Sequence, residues 1–489
     1  MNTISKEEFL REYTKDLLQG DAALFVGAGL SIPAGMVDWR TLLKDIAKDL
    51  QLDIDQEHDL LAVAQYEFNR KGTRDSLNRA IVEWFAKEGK LTDNHKLIAR
   101  LPLDTIWTTN YDQIIEEAFR DSQKVLDVKH SVEQLPIRKP GAMATLFKMH
   151  GDVSLPNSAI LTKDDYECYE ANCGAFTTQL LGDLISKSFL FLGFSFTDPN
   201  IEYTFNRLRR LLNPYRKINQ SLRSHYCIQR SPQARDFEGK SNADDILRIE
   251  KERFRHRIED LKRLGGVQTI VIDDYREITD LLTALHRRVS TRSVMISGAS
   301  HDSSPLGQVQ LDQLAEAIGK KLIENDYDVV SGVGKGLGAS LLVGAHQALG
   351  NPYVSRRANR LRLFPFPYWH EDNAKRMESY KYNRAEMASQ AGVSIFISGN
   401  KLENGETINS PGVRAEYDEA KKNGHFIIPI GASGWAAKQI WDEVMPKLKT
   451  LYAGFTVDSE FDVLGNASSV EKILEAVFSI LNKIRNGGR

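Results

Sequence analysis

Cysteine is scarce in this chain: its 489 residues include only Cys168, Cys173 and Cys227. Three thiols cannot build a disulfide framework. With no CxxC pair they cannot fill a four-cysteine tetrahedral zinc site either, and we read them as ordinary thiols. An excess of charge of one sign is also missing. A net charge of −2 gives no electrostatic basis for bulk nucleic-acid binding. No apolar run approaches the roughly 18 residues that span a bilayer. The polar, acidic start, Met-Asn-Thr-Ile-Ser-Lys-Glu-Glu, has no signal-peptide apolar core, so a cytoplasmic location is expected. What is present is an ordinary soluble composition, 42% hydrophobic and 27% charged. The length suggests about two to four domains.

Apolar runs alternate with helical segments throughout. The first half predicts strands at Ala22–Val26, Thr105–Thr109, Ala144–Met149, Phe189–Gly193, His225–Gln229 and Val267–Ile272. Several are continuously apolar, as in strands covered on both faces. Helical insertions are expected at about Trp39–Glu88 and Asp164–Ser186. The very charged stretch Asp244–Leu264 reads as a helix with a solvated face. A helix over Tyr275–Val289 closes this half, which places a domain boundary near residue 288. The second half predicts strands at Ser293–Ser297, Asp328–Ser331, Arg360–Phe364, Val393–Ser398 and Phe426–Ile430, with helices at Val309–Glu324 and Ala339–Leu349. The fold class is therefore α/β: two Rossmann-like domains, 1–288 and 289–489, each a parallel sheet flanked by helices, the first with helical insertions.

Four strand ends in the first half carry chemistry. Gly27-Ala28-Gly29 follows a strand, where glycines let the backbone approach a phosphate, and Ser31 adds a hydroxyl. Asn110, in Trp107-Thr108-Thr109-Asn110-Tyr111-Asp112, sits where open α/β sheets bind ligands; Asn110 or Asp112 can equally cap the next helix. His150 ends a strand in Lys148-Met149-His150-Gly151-Asp152, and imidazole suits proton transfer near neutral pH. Gly193, Ser195 and Asp198 lie in Gly193-Phe194-Ser195-Phe196-Thr197-Asp198-Pro199, where Asp198 can also cap a helix starting at Pro199.

Taken in order, GAG-x-S, T-x-N-x-D and HG resemble the signature of the sirtuin family. The resemblance implies a site that holds NAD and breaks its nicotinamide–ribose bond. Asn110 would contact the ribose and position the attacking group, and His150 would assist deprotonation. Gly27, Ala28, Gly29, Ser31, Asp112, Gly193, Ser195 and Asp198 would bind the dinucleotide. Protein-deacylating sirtuins usually carry a four-cysteine zinc ribbon, which this chain lacks, so water is favoured over an acyl-lysine as the nucleophile and no metal is expected.

The second half has its own glycine loop. Ser297-Gly298-Ala299-Ser300 follows one strand. Ser331-Gly332-Val333-Gly334-Lys335-Gly336-Leu337-Gly338 joins another to a helix, without the Gly-Lys-Ser/Thr order of a Walker A motif. With Ser398-Gly399-Asn400 and Pro411-Gly412-Val413-Arg414-Ala415-Glu416, this set resembles the SLOG family, relatives of phosphoribohydrolases with a PGGxGTxxE segment. Only Pro411, Gly412 and Glu416 match that segment, which argues against hydrolysis by this half and leaves ligand binding intact. Gly298, Ser300, Gly332, Gly334, Lys335, Gly336, Gly399, Asn400, Gly412 and Glu416 are the candidate contacts. Arg384 is a candidate phosphate partner or a surface arginine. Arg356, Arg357, Arg360 and Arg362, ahead of the aromatic run 364–369, read as solvated or interface residues.

A sirtuin-like half joined to a SLOG half resembles the effectors of the bacterial Thoeris antiphage defence. That resemblance implies that a TIR-domain partner makes a cyclic ADP-ribose isomer from NAD. The SLOG half would bind the isomer, and the sirtuin-like half would then hydrolyse NAD to nicotinamide and ADP-ribose, as a homotetramer, depleting the infected cell. Two other readings stay open, an NAD-dependent deacylase and a nucleotide sensor without turnover. A phosphoribohydrolase is a weaker third.

Overall fold

The computed structural model describes residues 3–87, 89–212, 223–240, 242–351, 360–367 and 372–487. The chain divides into two compact units, Met1–His286 and Arg287–Arg489.

The first unit is built on seven parallel strands: β1 (Ala22–Val26), β2 (Thr105–Thr108), β3 (Leu126–Lys129), β4 (Ala144–Lys148), β5 (Ser188–Leu192), β6 (His225–Arg230) and β7 (Val267–Ile272). Their spatial order is β3-β4-β2-β1-β5-β6-β7. Every residue of β1, β2 and β5 is buried, as expected of strands covered on both faces. Trp107 of β2 stacks on Phe147 of β4 at 4.3 Å and donates its Nε1–H to Asp183, so a wholly buried indole keeps a polar partner. The chain leaves β1 toward β2 and later returns on its other side as β5. The crevice between the ends of β1 and β5 is thus the topological switch point, where open α/β sheets bind ligands.

The insertion after β1 is helical but broken into Trp39–Leu42, Lys44–Asp49, Leu60–Lys71 and Asp75–Phe85; Glu88 lies outside the described residues. Asp38 and Asp59 cap two of these helices through their side chains. The second insertion splits at Cys168 into Lys163–Glu167 and Tyr169–Ser186. The charged helix runs Ala243–Gly265 and carries i,i+3 pairs such as Arg253–Glu250 on its exposed face.

The second unit has five parallel strands, β8 (Ser293–Ala299), β9 (Asp328–Ser331), β10 (Leu361–Leu363), β11 (Val393–Ser398) and the last strand of the chain, Phe426–Ile430. β8 lies between β9 and β11, so its end is again a switch point. Between β11 and the last strand comes a small antiparallel hairpin, β12 (Asn400–Glu403) and β13 (Glu406–Asn409). Asn404 and Gly405 form its two-residue turn with φ of 51° and 85°, as a type I′ turn demands.

One sequence expectation is corrected here. Arg360 is not a solvated residue: it is 3% exposed, and its guanidinium donates to the carbonyls of Ile323 and Tyr327. Arg362 donates to Ser293 Oγ, and Arg356 and Arg357 lie outside the described residues.

Candidate functional site

The glycines after β1 let two strand ends cross closely. Gly27 N donates to Leu192 O at 2.9 Å and Gly29 N to Gly193 O at 3.0 Å. A Cβ on Gly27 would stand 2.4 Å from Gly193 O. One on Gly193, whose φ is +62°, would stand 2.3 Å from Leu30 N. Both contacts are shorter than any real Cβ tolerates, so the Gly-Ala-Gly turn and Gly193 are required by each other. The amides of Gly27 and Gly29 are thus taken by Leu192 and Gly193 at the end of β5. Gly27 lies behind the cavity that Ala28, Gly29 and Ser31 line.

Asn110 is held from two sides. Its N–H donates to Thr108 Oγ1, Thr108 Oγ1 donates to Val26 O, and Asn110 Nδ2 donates to Ser31 Oγ at 3.1 Å. It does not cap the following helix, which begins at Ile114; Asp112 Oδ1 accepts that residue's N–H. The other oxygen of Asp112 is buried with no hydrogen-bond partner, and the residue lines the cavity. Beneath this loop lies the fully buried Lys148. Its ammonium donates to the carbonyls of Tyr111 and Asp112, to Glu116 and to Asp152. The Asp152 carboxylate sits below its usual range despite its burial, because of the lysine beside it. One buried cation thus ties the loop after β2 to the turn after β4.

His150 is 1% exposed. Its Nε2 has no hydrogen-bond partner and stands 3.4 Å from Asp198 Oδ2. Burial lowers its pKa below the ordinary imidazole value, and the Asp198 carboxylate opposes that shift. Asp198 does cap the helix that starts at Pro199: its Oδ1 accepts from Asn200 N and Ile201 N.

These residues meet in a cavity of about 600 Å³, a size that takes a dinucleotide-sized ligand in part or whole. Ala28, Gly29, Ser31, Asn110, Asp112, His150, Gly193, Ser195 and Asp198 all line it. Much of the wall was not apparent from sequence: Asp38, Trp39, His58, Asp59 and Leu60 come from the first helical insertion, and Tyr166 from the second. Amphipathic helices carry no motif, so only their position after β1 and β4 could have suggested this. Among the described residues no group of His, Cys, Asp and Glu could hold a metal ion. No helix among them is long and apolar enough to cross a membrane.

In the second unit the glycines again permit close backbone approach. Cβ atoms on Gly334 and Gly336 would fall 1.9 Å from Gly298 O and 2.0 Å from Ser300 O. Ser300 N donates to Lys335 O, so the loop after β9 is folded down on the end of β8. The void behind it, lined by Gly298, Gly334, Leu337 and Gly338, is about 10 Å³, barely one water. Asn400 holds this loop: its side chain accepts from His301 N and Asp302 N and donates to Asp302 O and Ser398 Oγ. Gly399, at φ +106°, lies against Ala436 and Val413.

Arg384, Gly412 and Glu416 do come together. The Arg384 guanidinium lies over Phe366 at 5.4 Å and Tyr380 at 5.5 Å, and its Nη2 is 3.4 Å from where a Gly412 Cβ would be. Its Nε is buried without a hydrogen-bond partner. Phe366 also packs on Gly332, where a Cβ would meet the ring at 2.5 Å. Glu416 is buried and accepts from Ser297 Oγ. Burial raises its pKa, and the Ser297 hydrogen bond and the Arg384 charge oppose the shift.

With this geometry in view, comparison with known proteins is informative. Residues 277–484 match the Sir2- and TIR-associating SLOG family, and residues 104–256 match the SIR2-like domain. The chain is 36% identical over 484 residues to the NAD(+) hydrolase ThsA of Bacillus cereus (strain MSX-D12), covering 98% of each chain. It is 34% identical over 490 residues to the NAD(+) hydrolase ThsA of Enterococcus faecium, covering 99% of this chain and all of that one (100%). It is 36% identical over 445 residues to the ThsA of Acinetobacter baumannii (strain 532279), covering 90% of each.

Proposed function

The chain belongs to the ThsA family, and we propose that its first unit hydrolyses NAD to nicotinamide and ADP-ribose under the control of a ligand bound by its second. The observation that carries the first half of this reading is the cavity after β1, β2, β4 and β5, on which Asn110 and His150 converge. NAD's nicotinamide is a cationic leaving group on an anomeric carbon, so the protein has only to hold the ribose, shield an oxocarbenium-like state and direct water. Asn110, fixed through Ser31 and Thr108, positions the ribose and the water. The water oxygen bonds to the anomeric carbon. Nicotinamide leaves with the electron pair of the broken C–N bond, and the water's proton passes to His150. A histidine kept neutral by burial is suited to accept it. The unpartnered oxygen of Asp112 supplies one more acceptor for the bound dinucleotide.

For the second unit we propose that Arg384, Gly412 and Glu416 form the ligand site, with a cyclic ADP-ribose isomer as the activator and a TIR-domain protein as its source. A guanidinium held against two aromatic rings is a fixed donor for phosphate, and a buried carboxyl can bond ribose hydroxyls. Activation requires only that this ligand bind the active state better than the resting one. In this reading the functional division falls at residues 1–288 and 289–489, the active species is a homotetramer, and the outcome is NAD depletion in an infected cell.

Purified protein mixed with NAD, with and without cyclic ADP-ribose isomers, tests the reading through release of nicotinamide and ADP-ribose. Release dependent on an isomer is the expected result. Release dependent instead on an acyl-lysine peptide, or none under any condition, would replace it.

A further inference from the structure

Asp198 read from sequence as a contact for the dinucleotide. Its surroundings point elsewhere. One carboxylate oxygen is committed to the backbone, accepting from Asn200 N at 3.0 Å and Ile201 N at 3.1 Å. The other accepts the hydroxyl of Tyr166 at 3.0 Å and faces His150 Nε2 at 3.4 Å. Tyr166 is itself fixed. Its short helix starts in a capping box between Thr162 and Asp165, and Asp165 is paired with Arg74 at 2.7 Å. The ring of Tyr166 meets the imidazole edge-on at 5.5 Å. On another side stands Tyr169, whose ring lies 6.1 Å from the imidazole and whose hydroxyl donates to Met149 O. Asp198, Tyr166 and Tyr169 are the titratable groups that face the His150 ring in these contacts. Asp198 is the one carboxyl group among them.

A buried imidazole nitrogen without a partner calls for an explanation. A carboxylate oxygen 3.4 Å away, poorly aligned at rest, supplies one, since such contacts tighten when substrate binds. We infer that Asp198 and Tyr166 are positioning residues for His150: the carboxylate orients the ring and stabilises the imidazolium formed when His150 takes a proton, and the tyrosine hydroxyl holds the carboxylate in place. The inference deepens the proposed NAD hydrolysis and rests on it for the identity of the proton donor. It adds an orienting acid and a hydroxyl to the pair Asn110 and His150, on the logic by which a buried acid serves a catalytic histidine.

The test uses the full chain with Asp198→Asn and Tyr166→Phe. Asparagine caps a helix about as well as aspartate, so the first substitution keeps the fold and removes the charge. Histidines are labelled with ¹³C, and the His150 resonance is identified by its absence in His150→Ala. Its titration in Asp198→Asn is expected to fall by about one pH unit, because the anion that favours the imidazolium is gone. In Tyr166→Phe it is expected to rise, because the carboxylate has lost the donor that shares its charge. In parallel, kcat for nicotinamide release from NAD with a cyclic ADP-ribose isomer should fall roughly 10- to 100-fold in Asp198→Asn, with KM within about twofold. An unmoved His150 titration, or a loss carried by KM with kcat intact, would overturn the inference and return Asp198 to the ligand. Wild-type protein that releases no nicotinamide would overturn the hydrolase reading instead, and the titration would still decide whether Asp198 acts on His150. If Asp198→Asn fails to fold, the upward shift in Tyr166→Phe decides alone.

Discussion

The turn after β1 and the loop after β9 use glycine for the same physical purpose and end in different places. In both, a Cβ would collide with the backbone of a neighbouring strand end, at 2.4 Å for Gly27 against Gly193 and 1.9 Å for Gly334 against Gly298. In the first unit the crossing is followed by side chains that turn away from it, and a cavity of about 600 Å³ opens between them. In the second the loop lies down on its neighbour and leaves a void of about 10 Å³. Glycine spacing therefore reports close backbone packing at a switch point. Chemistry has to be read from what surrounds it: an imidazole and an amide in one unit, a guanidinium against two aromatic rings and a buried carboxyl in the other.

The largest effect that could break this contrast is on turnover. His150→Ala and Asn110→Ala should each reduce nicotinamide release by about 10²- to 10⁴-fold, the range for loss of a general base or an orienting group. Thermal midpoints should stay near wild type, since neither side chain fills the apolar core. Residual activity within threefold of wild type in both would remove the chemical distinction between the two units.

Next comes the shared role of the glycines. Gly193→Ala and Gly334→Ala force a Cβ to within 2.3 Å of Leu30 N and 1.9 Å of Gly298 O, so backbone must move in either case. Each should cost about 3 kcal/mol, read as a loss of denaturation midpoint with no ligand present. Gly20→Ala is the control, since a Cβ there meets nothing within 4 Å and only its φ of +77° opposes it; about 1 kcal/mol is expected. If Gly334→Ala were as mild as Gly20→Ala, the loop after β9 would not be packed as described and would regain its standing as an open phosphate cradle.

How much of this could be read in the sequence divides along the same line. Mostly apolar runs marked β1, β5, β11 and Phe426–Ile430, because a strand buried on both faces has few polar positions to hide it. The edge strand β3, Leu-Asp-Val-Lys, and the hairpin of β12 and β13 were missed because polar residues interrupt them, although Asn404-Gly405 was a hairpin signal in plain sight. Asn110 and His150 were legible as polar residues at strand ends. The roles of Asn400 and of the Gly27 and Gly29 amides were not, since a motif does not say which of its hydrogen bonds are already taken.

Acid should separate the two units. Three histidines in the first unit, His95, His150 and His286, have lowered pKa values, each mainly through burial. In the second unit only His425 does among the described residues; burial holds it down to about 4 while it bonds Ser394 Oγ and Ala388 O. A histidine whose folded pKa lies below its unfolded value adds stability above about pH 6.5, lost as pH falls toward the folded value. For His425 the loss is on the order of 3 kcal/mol by pH 4; in the first unit His286, also held down to about 4, loses as much, and His95 and His150 act in the same direction. Hydrogen exchange at pH 7 and pH 5 should show the first unit losing more protection than the second. Equal losses would mean that His95 and His150 reach solvent more readily than their burial implies.

Arg384→Ala should give the smallest change, and it bears on the second unit of the comparison. The guanidinium sits over Phe366 and Tyr380 beside Gly412, and its positive charge acts on the buried Glu416. Removing it deletes one charge-assisted contact to phosphate, worth about 1.5–3 kcal/mol when fully made and less when water can substitute. The concentration of cyclic ADP-ribose isomer giving half-maximal activation should therefore rise about tenfold or somewhat more, or about 1.4 kcal/mol. Isothermal titration with the isomer should show the same factor in Kd, because coupling through an equilibrium moves binding and activation together. Glu416→Gln offers the complementary check. A carboxyl whose pKa is raised by burial is already inclined toward its neutral form, so the amide should disturb the site less than loss of Arg384 does. An activation midpoint unmoved in Arg384→Ala would place the ligand elsewhere in the second unit, while a shift in midpoint without a matching shift in Kd would mean that Arg384 transmits the signal and does not bind it.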